Sequence, residues 1–249
     1  MEIVVQDESR NPYGTHKDRR SQYIVEQAKK EGVTKLCLIT SGNAGYSLAK
    51  YARPEGIEVV CIIDHRLTAE IKETLARECS GVVEADLVGQ VLKPEEVIAL
   101  ARTNEEESIW DVTNGYASAY AAIIKDITVV YDYLVCPVGS GELYVGLAQG
   151  LKEQGKQARL IGIGVKTHPS FADKLSAPWT PYQGKMKEIE AMGNPIIRLS
   201  EEEVHAVYDE YKERYTCEPS SAVVWAALTK ADLPEDARVV MINSGRGLV

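Results

Sequence analysis

Lys35-Leu36-Cys37-Leu38-Ile39-Thr40-Ser41-Gly42-Asn43-Ala44-Gly45 decides how this chain is read. A short, nearly continuous apolar run that ends in small polar residues predicts a strand over 35–40, buried on both faces as in a parallel sheet. An amphipathic stretch follows, predicting a helix over 43–52, and a second β-branched run predicts a strand over 57–63. Strand, turn, helix and strand in this order argue for an open α/β sheet.

The same alternation extends in both directions. Strands are predicted at 2–6, 81–84, 108–112, 133–138, 159–165 and 238–243, and helices at 17–31, 68–79, 93–104, 117–127, 143–154, 200–215 and 219–230. Ser200 followed by Glu203 is a capping box, and Pro94 and Pro219 fit the first turn of their helices. Segment 167–195 breaks the rhythm with Pro169, Pro178, Pro181, Pro195, Gly184 and Gly193. It reads either as a functional loop or lid, or as an excursion that covers the sheet edge.

The chain has 249 residues, 45% hydrophobic and 26% charged, within the range of ordinary globular proteins. Net charge is −9, from 28 basic and 37 acidic residues. With no basic run, no nucleic-acid surface is expected. No stretch approaches the roughly 18 apolar residues of a membrane helix. Met1-Glu2-Ile3-Val4-Val5 lacks the basic start and apolar block of a signal peptide. Cys37, Cys61, Cys79, Cys136 and Cys217 are scattered and read as reduced thiols of a cytoplasmic protein. His16, His65, His168 and His205 share no ligand spacing, so no metal site is expected.

Four motifs carry chemistry. Lys17 lies in Asn11-Pro12-Tyr13-Gly14-Thr15-His16-Lys17-Asp18-Arg19, at a turn into a helix. There it reads either as an amine whose ammonium form the positive helix end, with Arg19 and Arg20, disfavours, so that it can attack a carbonyl, or as an ordinary solvated charge. Ser41–Gly45 turns from strand to helix and presents backbone N–H groups to an anion such as a carboxylate, or is a plain N-cap. Cys136-Pro137-Val138-Gly139-Ser140-Gly141-Glu142-Leu143 does the same, and its spacing is that of neither a dinucleotide fold nor a P-loop. It reads as a nest for one phosphate monoester. The run 239–247 delivers Ser244 to the carboxyl edge of the sheet, where ligands bind in open α/β folds. Amine, carboxylate cradle, phosphate cradle and hydroxyl together match pyridoxal phosphate with an amino-acid substrate.

In order and spacing these motifs resemble the tryptophan-synthase-β superfamily, fold type II of the pyridoxal-phosphate enzymes. Asn11–Arg19 resembles its N-P-T-G-S-F-K-D-R segment, Ser41–Gly45 its S-G-N-x-G loop, Gly139–Gly141 the start of its phosphate loop, and Glu218–Ala222 its E-P-x-x-A helix start. The resemblance implies that Lys17 is the catalytic Schiff-base lysine. It implies that Asn43 contacts the cofactor's ring hydroxyl while Ser41, Gly42, Asn43, Ala44 and Gly45 hold the substrate carboxylate. Gly139, Ser140, Gly141, Glu142 and Leu143 would hold the phosphate, and Ser244 the pyridine nitrogen. His16 stands where the family has Phe, and Glu142 where it has another glycine.

The implied fold is two open, mostly parallel α/β sheets with the cofactor cleft between them. A smaller domain is expected over 12–127 and a larger one over 1–11 plus 128–249. The implied activity is elimination or replacement at the β or γ carbon of a small amino acid. Val5–Pro12 and Ser244–Leu248 resemble threonine synthase most, with serine/threonine dehydratases and cysteine synthases sharing the main motifs. The alternative is a cofactor-binding relative with little catalysis, regulatory or partner-dependent. A homodimer is expected. Relatives carry several dozen residues ahead of the lysine motif, so one side of the site is expected to be open.

Overall fold

The computed structural model describes residues 1–249 except Val88, Glu106, Pro178 and Val249. Along the chain run strands β1 (Glu2–Asp7), β2 (Lys35–Ile39), β3 (Glu58–Asp64), β4 (Gly81–Ala85), β5 (Ile109–Asp111), β6 (Tyr133–Pro137), β7 (Arg159–Val165), β8 (Ile196–Leu199) and β9 (Arg238–Asn243). Helices are α1 (Lys17–Lys30), α2 (Asn43–Ala52), α3 (Ala69–Glu78), α4 (Pro94–Ala101), α5 (Ala121–Asp126), α6 (Glu142–Glu153), α7 (Gln183–Ala191), α8 (Glu201–Tyr211), α9 (Pro219–Ala222) and α10 (Ala227–Lys230). The architecture is α/β with two sheets whose strand pairs are all parallel among the described residues.

Two compact units form. The first comprises Met1–His16 and Ala117–Gly247, the second Lys17–Tyr116 and Leu248. The first unit's sheet has the order β1-β9-β6-β7-β8. Alternate residues of each central strand enter opposite cores. Leu134 and Cys136 of β6, with Val240 and Ile242 of β9, pack under α5 and α6. Val135 of β6, Val239 and Met241 of β9 and Ile161 and Ile163 of β7 pack on the other face, against Val204 of α8 and the 223–226 segment. Burial on both faces explains why these strands read as unbroken apolar runs.

The second unit's sheet has the order β4-β3-β2-β5. Leu36 and Leu38 of β2 and Val59, Cys61 and Ile63 of β3 face α1, α2 and α3, whereas Cys37, Val60 and Ile62 face α4.

Four departures from the sequence reading have local causes. Segment 167–195 contains α7, and β8 follows directly; both were expected to be irregular or were not expected at all. Pro178 lies outside the described residues. The helix expected over 219–230 is interrupted by a 3₁₀ stretch, Val223–Ala226, where Trp225 stacks with the rings of Tyr211 and Tyr215. The expected 117–127 helix opens with a 3₁₀ turn, Ala117–Tyr120. Finally, 117–127 packs in the first unit rather than with the smaller domain. Gly146 and Gly150 of α6 carry no side chains, and a Cβ at either would lie 2.0 Å from the Ala117 carbonyl or 2.7 Å from Ile124.

Candidate active site

In the second unit, Lys17 is the first residue of α1 and is half-buried. Asp18, beside it, is buried and accepts a 2.6 Å bond from the Ser47 hydroxyl of α2. Arg20 is buried as well. Its guanidinium donates to the carbonyls of Val112 and Thr113 and lies over the Tyr116 ring. Arg20 thus anchors α1, and Asp18–Ser47 fastens the lysine-bearing turn to the helix that opens at Asn43.

The turn Thr40–Gly45 connects β2 to α2. Gly42, at φ +131°, caps α2 in a backbone conformation that residues with a Cβ avoid. The Thr40 hydroxyl accepts the N–H groups of Gly42 at 3.0 Å and Gly45 at 3.2 Å. Ser41 is exposed, Ala44 is half-buried, and Gly42, Asn43 and Gly45 are buried.

In the first unit, β6 runs through Pro137 and Val138 into Gly139-Ser140-Gly141 and then α6. Gly141 caps α6 at φ +87°. Helix geometry leaves the first amides of α6, from Glu142 on, without intrahelical acceptors. The Glu142 N–H lies 3.5 Å from the Ser140 hydroxyl. Glu142 is buried, and its carboxylate accepts 2.8 Å from the Tyr182 hydroxyl. The Thr180 hydroxyl donates to the Ser140 carbonyl. Segment 167–195 therefore braces this loop, a role the sequence left undecided.

Ser244, also in the first unit, follows β9 and is buried. Its N–H donates 2.7 Å to the Ser221 hydroxyl, which donates 2.7 Å to Asn243 Oδ1. The Ser244 carbonyl accepts both the backbone N–H of His16, at 2.8 Å, and His16 Nδ1, at 2.9 Å. Because a carbonyl only accepts, Nδ1 carries the proton and the tautomer is set. Thr15 bridges Gly245 in antiparallel fashion, and Arg246 donates its N–H to the Gly14 carbonyl. A Cβ on Gly245 would lie 2.8 Å from Thr15 Cβ and 2.9 Å from the Gly14 carbonyl, so this pairing requires glycine. His16 is a packed imidazole, 5.3 Å from the Tyr120 ring.

Each predicted residue thus sits at a helix start or a strand end. Within the second unit, α1 and α2 bring the Lys17 turn and the Ser41–Gly45 turn onto one pair of packed helices. Within the first, the pairing of 14–16 with 244–246 joins the residue before Lys17 to Ser244. Asp18, Ser47, Thr180, Tyr182 and Ser221 hold these parts and were not singled out from the sequence. Only Asp18 and Ser221, inside quoted motifs, carried any signal. Among the described residues, Asp64, His65 and Asp86 form a cluster of metal-ligand type. Arg66 bonds both carboxylates there, and its hydrogen bonds hold Asp64 well below the usual carboxylate range. No described helix is long and apolar enough to cross a membrane.

The fold is that of several solved enzymes. The O-acetylserine dependent cystathionine β-synthase of Helicobacter pylori superposes with a TM-score of 0.78 at 21% identity, over 98% of this chain and 86% of that one. Maize serine racemase gives 0.81 at 17%, over 99% and 84%. An L-serine ammonia-lyase from the fungus Rhizomucor miehei gives 0.78 at 15%, over 99% and 88%. The family described as pyridoxal-phosphate dependent enzyme matches residues 1–245. The chain thus belongs to the family of pyridoxal-phosphate dependent enzymes.

Proposed function

We propose that this enzyme holds pyridoxal phosphate through Lys17 and eliminates or replaces a group at the β or γ carbon of a small amino acid, in the manner of threonine synthase, serine/threonine dehydratases or cysteine synthases. The observation that carries the reading is the pairing of Gly14–His16 with Ser244–Arg246. It fixes the residue before the amine against the residue that offers a hydroxyl to the ring nitrogen.

Bound pyridoxal phosphate supplies an electron sink for bonds at the amino acid's Cα. The protein supplies aim and proton transfer. Lys17 Nζ would hold the cofactor and would take the proton from the substrate's Cα. The Ser41–Gly45 turn would hold the substrate carboxylate, and Asn43 would contact the ring hydroxyl. The first amides of α6 and the Ser140 hydroxyl hold the phosphate. Ser244, a neutral partner, would leave the ring nitrogen largely unprotonated, which would favour elimination or replacement over transamination. The Tyr182 hydroxyl on Glu142 would offset part of the carboxylate's charge were a phosphate bound at this loop.

Glu142 also favours a second reading, a relative that binds the cofactor but turns over little, because its buried carboxylate stands in the phosphate loop. The test is spectroscopic. Purified protein shows the visible absorbance of the lysine-bound cofactor, borohydride reduction places the added mass on Lys17, and Lys17→Ala loses both. A colourless protein after refolding with excess cofactor would sink both readings. Spectral shifts and turnover with O-phosphohomoserine, serine, threonine or O-acetylserine separate the first reading from the second.

A further inference from the structure

Beneath the Ser41–Gly45 turn lie two thiols. Cys61 of β3 is fully buried, and its Sγ stands 3.4 Å from Sγ of Cys79, the half-buried residue that ends α3. Cys79 also lines a surface cleft of about 250 Å³, together with Arg53, Glu78 and Ser80. Cys79 is therefore the cleft-side member of the pair, with the fully buried Cys61 beside it. Both touch the turn: a Cβ on Gly45 would lie 2.5 Å from Cys61 Sγ, and the Cys79 thiol is 4.0 Å from the Gly45 carbonyl.

The remaining thiols lack this arrangement. Cys37 and Cys136 are fully buried, and Cys217 is half-buried with no sulfur partner among the described residues. A pair with one accessible and one shielded sulfur is the arrangement of an attacking and a resolving cysteine.

We propose that Cys79 and Cys61 are a reversible oxidation site that takes hydrogen peroxide and closes to a disulfide. The Cys79 thiolate attacks the peroxide, the O–O bond breaks, and water leaves after protonation of the departing oxygen. Cys79 is left as a sulfenic acid. Cys61 sulfur then attacks Cys79 sulfur, its proton and the departing hydroxide form a second water, and an S–S bond of about 2.05 Å replaces the contact. Overall two thiols are oxidised by two electrons and one peroxide is reduced to two waters. A dithiol reverses the step by exchange and restores both protons. The hydrogen bond to Cys79 and its burial push the Cys61 thiol's pKa up, which leaves the first attack to Cys79.

The test is thiol mapping on the full chain. The protein is treated with hydrogen peroxide, alkylated under denaturing, non-reducing conditions and digested with trypsin, which cuts after Arg66 and Arg77 and so separates the two cysteines. Titratable thiols should fall from the five of the sequence by two, with a linked peptide joining Cys61 to Cys79, and dithiothreitol should restore all of them. Cys61→Ser should leave Cys79 to accumulate sulfenic acid and trap a dimedone probe, whereas Cys79→Ser should protect Cys61 from peroxide. Undiminished thiols, oxidised Cys79 without a linked peptide, or linkage through Cys217 instead would overturn the proposal. The wild-type mapping decides the matter even where a variant folds poorly.

Discussion

The two strand-to-helix turns, Thr40–Gly45 and Pro137–Glu142, use one backbone device and secure it in opposite ways. Both leave the carboxyl end of a buried parallel strand, and both cap their helix with a glycine at positive φ, Gly42 and Gly141. In the first, the threonine at the end of the strand bends back and accepts two N–H groups of the turn. In the second, the local acceptor is weak, Ser140 at 3.5 Å. The support comes from Thr180 and Tyr182, some forty residues downstream. A turn that consumes its own amides with a local side chain is self-contained. A turn braced from afar depends instead on the placement of another segment.

Substitutions can break or sharpen this contrast. Gly141→Val has the largest expected effect. The valine must adopt a left-handed backbone, and its Cβ would meet Met186 Sδ at 2.3 Å. Together these cost roughly 2–5 kcal/mol in urea denaturation. Thr40→Val keeps the shape but orphans the N–H groups of Gly42 and Gly45, for a loss of about 2 kcal/mol. Tyr182→Phe removes one donor from Glu142 and costs about 1 kcal/mol in the same measurement. Amide exchange should rise at residues 140–144 in Tyr182→Phe and at 41–45 in Thr40→Val. If Tyr182→Phe proved the more damaging of the two, or if each variant loosened the other turn, the division into local and remote support would fail.

Much of this was legible in the chain. Strands buried on both faces announce themselves as β-branched apolar runs, and the Ser200–Glu203 capping box forms as the sequence indicates. The Ser41–Gly45 and Gly139–Leu143 turns were found because glycine is needed where backbone must turn sharply ahead of a helix. What escaped notice lacks such signals. In α7, the sequence Gln183–Ala191 has Gly184 in its first turn and buries only Met186, so no apolar stripe betrays it. β8 is a four-residue edge strand that begins just after Pro195 and carries Arg198. The hydrogen bonds from Thr180 to Ser140 and from Tyr182 to Glu142 join residues forty apart by way of tertiary packing, and no local pattern encodes that partnership. The placement of 117–127 beside α6 depends on two glycines, which a periodicity argument reads as neutral.

The neighbours β1 and β9 have a consequence for how the protein is made. Their register pairs Glu2 with Arg238 and Asp7 with Asn243, so a strand synthesised early must wait for one synthesised late. The sheet β4-β3-β2-β5 draws on a continuous stretch and can assemble while translation proceeds. The β1-β9-β6-β7-β8 sheet cannot, because β9 supplies the partner that links β1 to β6. Long sequence separation slows such a closure, and until it occurs β1 and one edge of β6 stand unpaired on the ribosome. Chaperone demand during biosynthesis should therefore fall mainly on that sheet.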